Sequence, residues 1–318
     1  YYFRGNVQNN FVSFANMCWR IVRITGDGSI KLALYDYSSA SCTNTGNDLA
    51  FARYNGDTYE TKFNENNDDN AYIGFMYGTP NSTTYAATHA NTNKSTILQN
   101  LETWYKAKLT SYTDKLADTV WCNDKSTVKN VTSNIFDSAN GVLNKESLSS
   151  SGLGYQKEVT AYGSTIRNDS FESNVNSSTY GTGPSLICPK DNDGGKLSKF
   201  TVDDTVNGNG NLDYKIGLLT ADEMVLAGMA TYSVYYNNNY DENSVTSYLR
   251  SNANDYYWTL SPFDFDDDGA YVWISDGDGG LGGDGVDYSS ALRPVVSLKS
   301  ATTISGGNGT ASSPFVIN

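Results

Sequence analysis

The chain has 318 residues, a net charge of −13 and a pI near 4.4; 38% of its residues are hydrophobic and 13% aromatic, but only 18% are charged. That is enough apolar material for a packed core, and the acidic balance without a basic stripe argues against a nucleic-acid partner. No apolar run approaches the roughly 18 residues needed to cross a bilayer. In chain order, the opening YYFRGN lacks a Met and a signal peptide, so the expectation is a processed or truncated ectodomain with any anchor upstream. Asn, Ser, Thr, Gly and 24 Tyr supply the polar surface, the chemistry of a cell-exterior protein. The stretch FVSFANMCWRIVRITGDGSIKLALYD alternates apolar and polar residues on either side of Gly26-Asp27-Gly28, which predicts a hairpin. Residues 43–95 are Asn, Asp, Thr and Gly rich, with aromatic islands such as AYIGFMYG, and read as long surface loops over a packed base.

Between Ser95 and Thr119, Ile97, Leu98, Leu101, Trp104, Tyr105, Leu109, Tyr112 and Leu116 fill one face at helical spacing, predicting the main helix. A Ser, Asn, Gly and Thr-dominated stretch at about 125–185 reads as an insertion of loops and short pieces. In YKIGLLTADEMVLAGM a short strand precedes Thr220, which caps a two-turn helix in a capping box with Glu223, ending near Gly228. Strands follow at 256–260, 270–275 and 292–299, separated by Asp/Gly segments, and 301–318 forms a turn and a last strand. No internal repeat is present. Strand pairs first, one long helix in the middle and strands last argue for one α+β domain over 1–300 with antiparallel sheets, its hairpin packing with LRPVVSLK.

Cys18, Cys42, Cys122 and Cys188 form no CxxC pair, so zinc fits poorly. Cys18 and Cys42 bracket the hairpin, and the expected disulfides are Cys18–Cys42 and Cys122–Cys188, placing the chain in an oxidising compartment; four reduced buried thiols are the alternative.

The motif order WRIVRITGDGSIKL, LADTVWCNDKS, IGLLTADEMVLAG, YYWTLSP, AYVWISDGDGG and LRPVVSL resembles that of surface proteins of Firmicutes and related gut bacteria, some with a prepilin-like segment upstream. The tail is similar to the C-type lectin-like fold of formylglycine-generating enzymes and of the variable proteins of diversity-generating retroelements. The resemblance implies a C-type lectin-like domain at the cell surface. It also bears on residues 264–287, which hold eight Asp and seven Gly and no Lys, Arg or Glu. Template-adenine randomisation converts Asn codons to Asp, Gly, Ser and Tyr but not to Glu or Lys. On that reading the interleaved Trp258, Leu260, Pro262, Ala270, Val272, Ile274, Leu281, Val286 and Leu292 are framework. The alternative is an ordinary Asp/Gly-rich loop region.

The candidate ligand-binding residues are Tyr256, Tyr257, Asp264, Asp266, Asp267, Asp268, Tyr271, Trp273, Asp276, Asp278, Asp284, Asp287 and Tyr288, aromatic anchors beside adaptable polar groups. Trp19 and Trp258 are expected in the core. Asp264, Asp266 and Asp268 before Gly269 match the opening of an EF-hand loop, but position twelve is Ser275 and a strand follows, which leaves calcium a weak candidate. KDNDGG at 190–195 reads as an Asx-rich turn. Arg293, isolated before Pro294, is expected to pair with Asp222 or Glu223. His89, the single histidine, sits in a loop with no nucleophile signature near it, and the Asp cluster lacks the apolar packing of a general acid. The expectation is therefore a non-enzyme without cofactor that recognises a protein or glycan outside the cell. The alternative is a pilin-like filament subunit whose C-terminal strand adds to a neighbour's sheet.

Overall fold

The computed structural model describes residues 1–44, 49–54, 57–127, 136–137, 142–143, 153–168, 183–189, 197–231, 246–250, 255–276 and 279–318. The turn at 190–195 and Asp278 lie outside these.

The hairpin forms as its alternation requires. Strands β1 (Phe11–Phe14), β2 (Met17–Ile24) and β3 (Ile30–Asp36) run antiparallel. Ala15 and Asn16 turn the first pair with φ of 53° and 59°, the left-handed values of a two-residue hairpin loop. Gly26-Asp27-Gly28 turns the second, with Asp27 accepting from Ser29 N at 3.0 Å. Strand β4 (Glu60–Lys62) and helix α1 (Tyr85–Thr88) follow, and then α2 (Thr96–Lys108), capped by the Ser95 side chain on Leu98 N. The predicted helix face holds, since Ile97, Leu98, Leu101, Trp104 and Tyr105 are buried, with Trp104 edge-on to Trp19. Its end does not reach Thr119. At Leu109 the chain tightens into a 3-10 turn over Thr110–Lys115, where Thr, Ser and Asp side chains compete for backbone hydrogen bonds.

Within the stretch expected as an insertion, strand β5 (Thr160–Ala161) and helix α3 (Gly163–Asn168) are integral to the fold, and Tyr162 is buried. Helix α4 (Ala221–Leu226) carries the expected capping box of Thr220 and Glu223. Before it, Gly217 makes a single bridge to Val295 in place of a full strand. The tail comprises β6 (Ala230–Thr231), β7 (Tyr257–Asp266), β8 (Gly269–Ser275), β9 (Gly280–Gly285), β10 (Ser289–Ala291), β11 (Val295–Leu298) and β12 (Phe315–Val316).

These make a five-stranded sheet, β11-β3-β2-β1-β12, and a seven-stranded sheet, β6-β9-β8-β7-β10-β4, with β5 also on β7. The pairing of β11 with β3 is the contact expected between LRPVVSLK and the hairpin. The pairs β1·β12, β6·β9 and β7·β10 are parallel, so the sheets are mixed rather than wholly antiparallel. Strand β12 pairs with β1 of the same chain. The β-rich fold has few helices, and buried residues of both sheets share one apolar core. Disulfides join Cys18 to Cys42 and Cys122 to Cys188 as expected. Among the described residues no helix is long and apolar enough to cross a membrane.

Candidate functional site

The acidic stretch is mostly strand, not loop. Strand β7 continues past Leu260 to Asp266, with register shifts on either side of Pro262, because a proline that cannot donate to the ladder is accommodated at a bulge. At the β7–β8 tip, one carboxylate oxygen of Asp266 accepts from Asp268 N at 2.9 Å and Gly269 N at 3.3 Å, leaving Asp267 and Asp268 exposed. Gly269 has φ +138°, and a Cβ there would stand 2.7 Å from Asn67 Nδ2. Only glycine lets the 64–69 loop close over the turn, where Ala270 N donates to Asn67 O and Asn67 Nδ2 to Asp268 O.

Tyr271, half-buried, stands opposite Gly285 on β9, and the ring of Tyr288 lies where a Gly285 side chain would be. Burial, then the charges of Asp266, Asp268 and Asp264, push the Tyr271 phenol up. Asp266 and Asp284 are also raised, each by burial first, with their aspartate neighbours adding to it. Tyr271, Tyr288, Asp266, Asp267, Asp268 and Asp287 thus lie together as one acidic and aromatic patch at one end of the seven-stranded sheet, while Asp284, opposite Val272, alternates to the other face of β9.

The glycines of β9 have a packing cause. A Cβ on Gly283 would meet the Phe263 ring at 2.4 Å, and one on Gly280 would meet the Asp276 carboxylate at 2.3 Å. Phe263 in turn stands edge-on to Trp273, with centroids 4.7 Å apart. Gly283→Ala is therefore expected to destabilise the fold by about 1–3 kcal/mol through overpacking, measured by denaturant titration; an unchanged midpoint would remove this account of the glycine.

The structure divides the predicted surface. Tyr256, 54% exposed, and Asp276 sit at the opposite end of β7–β8 from the patch, on the order of 25–30 Å away at about 3.3 Å per residue. Three expected contact residues are buried instead. Trp273 packs on Phe263. Tyr257 donates to Leu249 O at 2.9 Å and packs against Phe51. Asp264 lies where β5 pairs with β7, opposite Ala161. Alternation fails for Tyr257 and Trp258 because this part of β7 is covered on both faces: Trp258, as expected, is also buried, its indole donating to Thr61 O. All nine expected framework residues are buried. Among the described residues no group of three or more His, Cys, Asp or Glu side chains is arranged to hold a metal ion.

Arg293 is buried, but its partners are not the expected carboxylates. Its guanidinium donates to Leu34 O, Leu249 O and the Tyr257 hydroxyl, so backbone carbonyls at the meeting of the two sheets hold it. The carboxylates serve other cations. Asp222 receives Arg167 Nε at 2.7 Å, and Arg167 Nη1 reaches Asp124 at 2.7 Å. Glu223 receives Arg23 Nε and Lys31 Nζ, both at 2.7 Å. Arg23 and Lys31 face each other across the hairpin, and like charges so placed require an anion. That juxtaposition, legible by counting outward from the Gly26–Gly28 turn, was the missed signal. A polar groove of about 270 Å³ opens beside them, bordered by Thr25, Asp27, Asp118 and Asp204.

Burial raises Glu223, but Lys31 and Arg23 outweigh it and hold the carboxyl at about 2. Burial, with Arg23 adding to it, takes Lys31 down to about 8 against the opposing pull of Glu223. His89 follows α1 and is fully buried, its Nε2 against Gly154 O. Burial and then Lys125 hold its pKa well below the ordinary value.

Comparison of the chain with protein-family models, with characterised proteins and with solved structures gives no match.

Proposed function

We propose that the chain is a non-catalytic recognition domain at the cell surface, of C-type lectin-like architecture, that binds a protein or glycan partner through the patch at the β7–β8 tip. The observation that supports this reading is the contrast within one segment: Asp267, Asp268 and Tyr288 are exposed, whereas the nine interleaved framework residues are buried. A surface of this kind sits on a rigid sheet and needs no backbone rearrangement to be presented. The two disulfides accord with an oxidising exterior. Clustered carboxylates beside Tyr271 and Tyr288 suit a partner offering cationic or hydroxyl groups, with an on-rate that falls as salt rises.

The test is binding of the purified chain to a panel of bacterial and host surface proteins and glycans. Asp267→Asn/Asp268→Asn/Tyr288→Ala is expected to weaken a captured partner about tenfold or more, with an unchanged melting temperature. Equal binding by this variant and the parent chain would overturn the assignment of the patch. If the surface is diversified, sequencing the locus across a population finds substitutions at these exposed positions and none at the nine framework positions.

A further inference from the structure

Two loops, one ahead of α2 and one after Cys122, meet in the interior, and the meeting point brings a lysine amine against a carboxamide. Lys125 is 0% exposed and Asn91 2%. Lys125 Nζ donates to Asn91 Oδ1 at 2.5 Å and to Met76 O at 3.1 Å. Both residues are held in place from outside the pair. The Tyr85 hydroxyl donates to Lys125 O at 2.6 Å, and Asn211 Nδ2 donates to Asn91 O at 3.3 Å. Asn91 has a left-handed backbone, φ 55°. Its Nδ2 points away from the lysine, toward Leu197 O at 3.3 Å and Ser198 Oγ at 3.5 Å.

We propose that Lys125 and Asn91 become joined by an intramolecular isopeptide bond. Rotation about the Asn91 Cβ–Cγ bond leaves Cγ in place and turns the face of the carboxamide, in place of its oxygen edge, toward the neutral amine. The Nζ lone pair then forms the Nζ–Cγ bond, the Cγ–Nδ2 bond breaks, and Nδ2 leaves as ammonia. The proton shed by the original ammonium leaves with it, so lysine ammonium and carboxamide become a secondary amide and one ammonium ion. Charge and atoms balance without any co-reactant.

Two features favour the step. Burial fixes the two groups at contact, which replaces an encounter by a local rearrangement. The product exchanges a buried charge for a neutral amide, removing a desolvation cost.

The test is the mass of the reduced, denatured protein. The expected result is a mass about 17 Da below that of the sequence, one ammonia. Trypsin is then expected to leave the bond after Lys125 uncut, and to yield a branched peptide joining the fragments that carry Asn91 and Lys125. Lys125→Arg and Asn91→Ala are each expected to restore the full mass. A parent chain of full sequence mass would overturn the proposal. So would a 17 Da deficit that persists in Lys125→Arg, which would mark a succinimide at Asn91. Should neither variant fold, the branched peptide of the parent chain decides alone.

Discussion

Glu223→Ala is expected to lower the stability of the fold by about 3–5 kcal/mol, the usual cost of removing one partner from a buried ion pair. The carboxylate is 3% exposed and stands between Arg23 and Lys31, two cations in direct cross-strand register. Without it, Lys31, 2% exposed and already lowered to about 8 with the carboxylate in place, must hold its charge in the interior opposite Arg23 or give up its proton, and either costs stability. The variant also loses the half of the capping box in which Thr220 N donates to Glu223, worth about 1 kcal/mol. Glu223→Gln retains that acceptor and is expected to lose less. Combining Glu223→Ala with Lys31→Met is expected to recover part of the loss, because the stranded charge goes with the lysine.

The same pair gives the fold an acid dependence whose sign follows from the depressed carboxyl. Glu223 lies at about 2 against an ordinary 4.5. Its contribution is thus fully present above about 4.5 and is lost as the pH falls toward about 2. Denaturant midpoints measured across that interval are expected to fall more steeply for the parent chain than for Glu223→Ala. Parallel curves would show that the ion pair is not what links stability to pH there.

Trp273→Ala is expected to cost a further large amount, about 3–5 kcal/mol, or on the order of 5–10 °C in melting temperature for a chain of this size. The indole is 0% exposed and stands edge-on to Phe263, whose ring fills the space above Gly283. Removing it empties the centre of a stack that the glycine strand was shaped to receive. Tyr288→Ala makes the contrast. At 63% exposure this ring is expected to change stability by no more than about 0.5 kcal/mol while its loss weakens recognition. A Trp273→Ala protein with the parent's melting temperature would return that residue to the contact surface.

The comparison of Tyr288 with Trp273 shows where reading the chain stops. Both are aromatic, both lie among Asp and Gly, and alternation along β8 places Tyr271 and Trp273 on the same side. Which of them meets solvent depends on Phe263, a residue of the neighbouring strand, and on β5 arriving from about a hundred residues earlier. Tyr257 and Arg293 are settled in the same way, by the carbonyl of Leu249, whose segment shows no pattern of its own. The Asp/Gly composition looked like loop because glycine and aspartate favour turns. In β9, Gly283 and Gly285 are instead strand residues that leave room for the rings of Phe263 and Tyr288.

Local chemistry was legible throughout. The β2–β3 hairpin, the Ser95 and Thr220 caps, the apolar face of α2 and the pairing of Cys18 with Cys42 depend on neighbours a few to some two dozen residues apart. Their periodicity, turn residues and hydrogen-bond donors are written in one stretch of chain, so the sequence by itself determined them. The parallel docking of β12 on β1, the closure of Asn67 over Gly269, the clamp of Arg23 and Lys31 by Glu223, and the division of the acidic segment into a buried frame and an exposed patch were decided only by the tertiary structure. The first three join residues between 192 and 303 positions apart, from Lys31–Glu223 to Val12–Phe315, and no local preference specifies a partner at that distance; burial of the shared core does, by leaving each polar group one place where it can be satisfied.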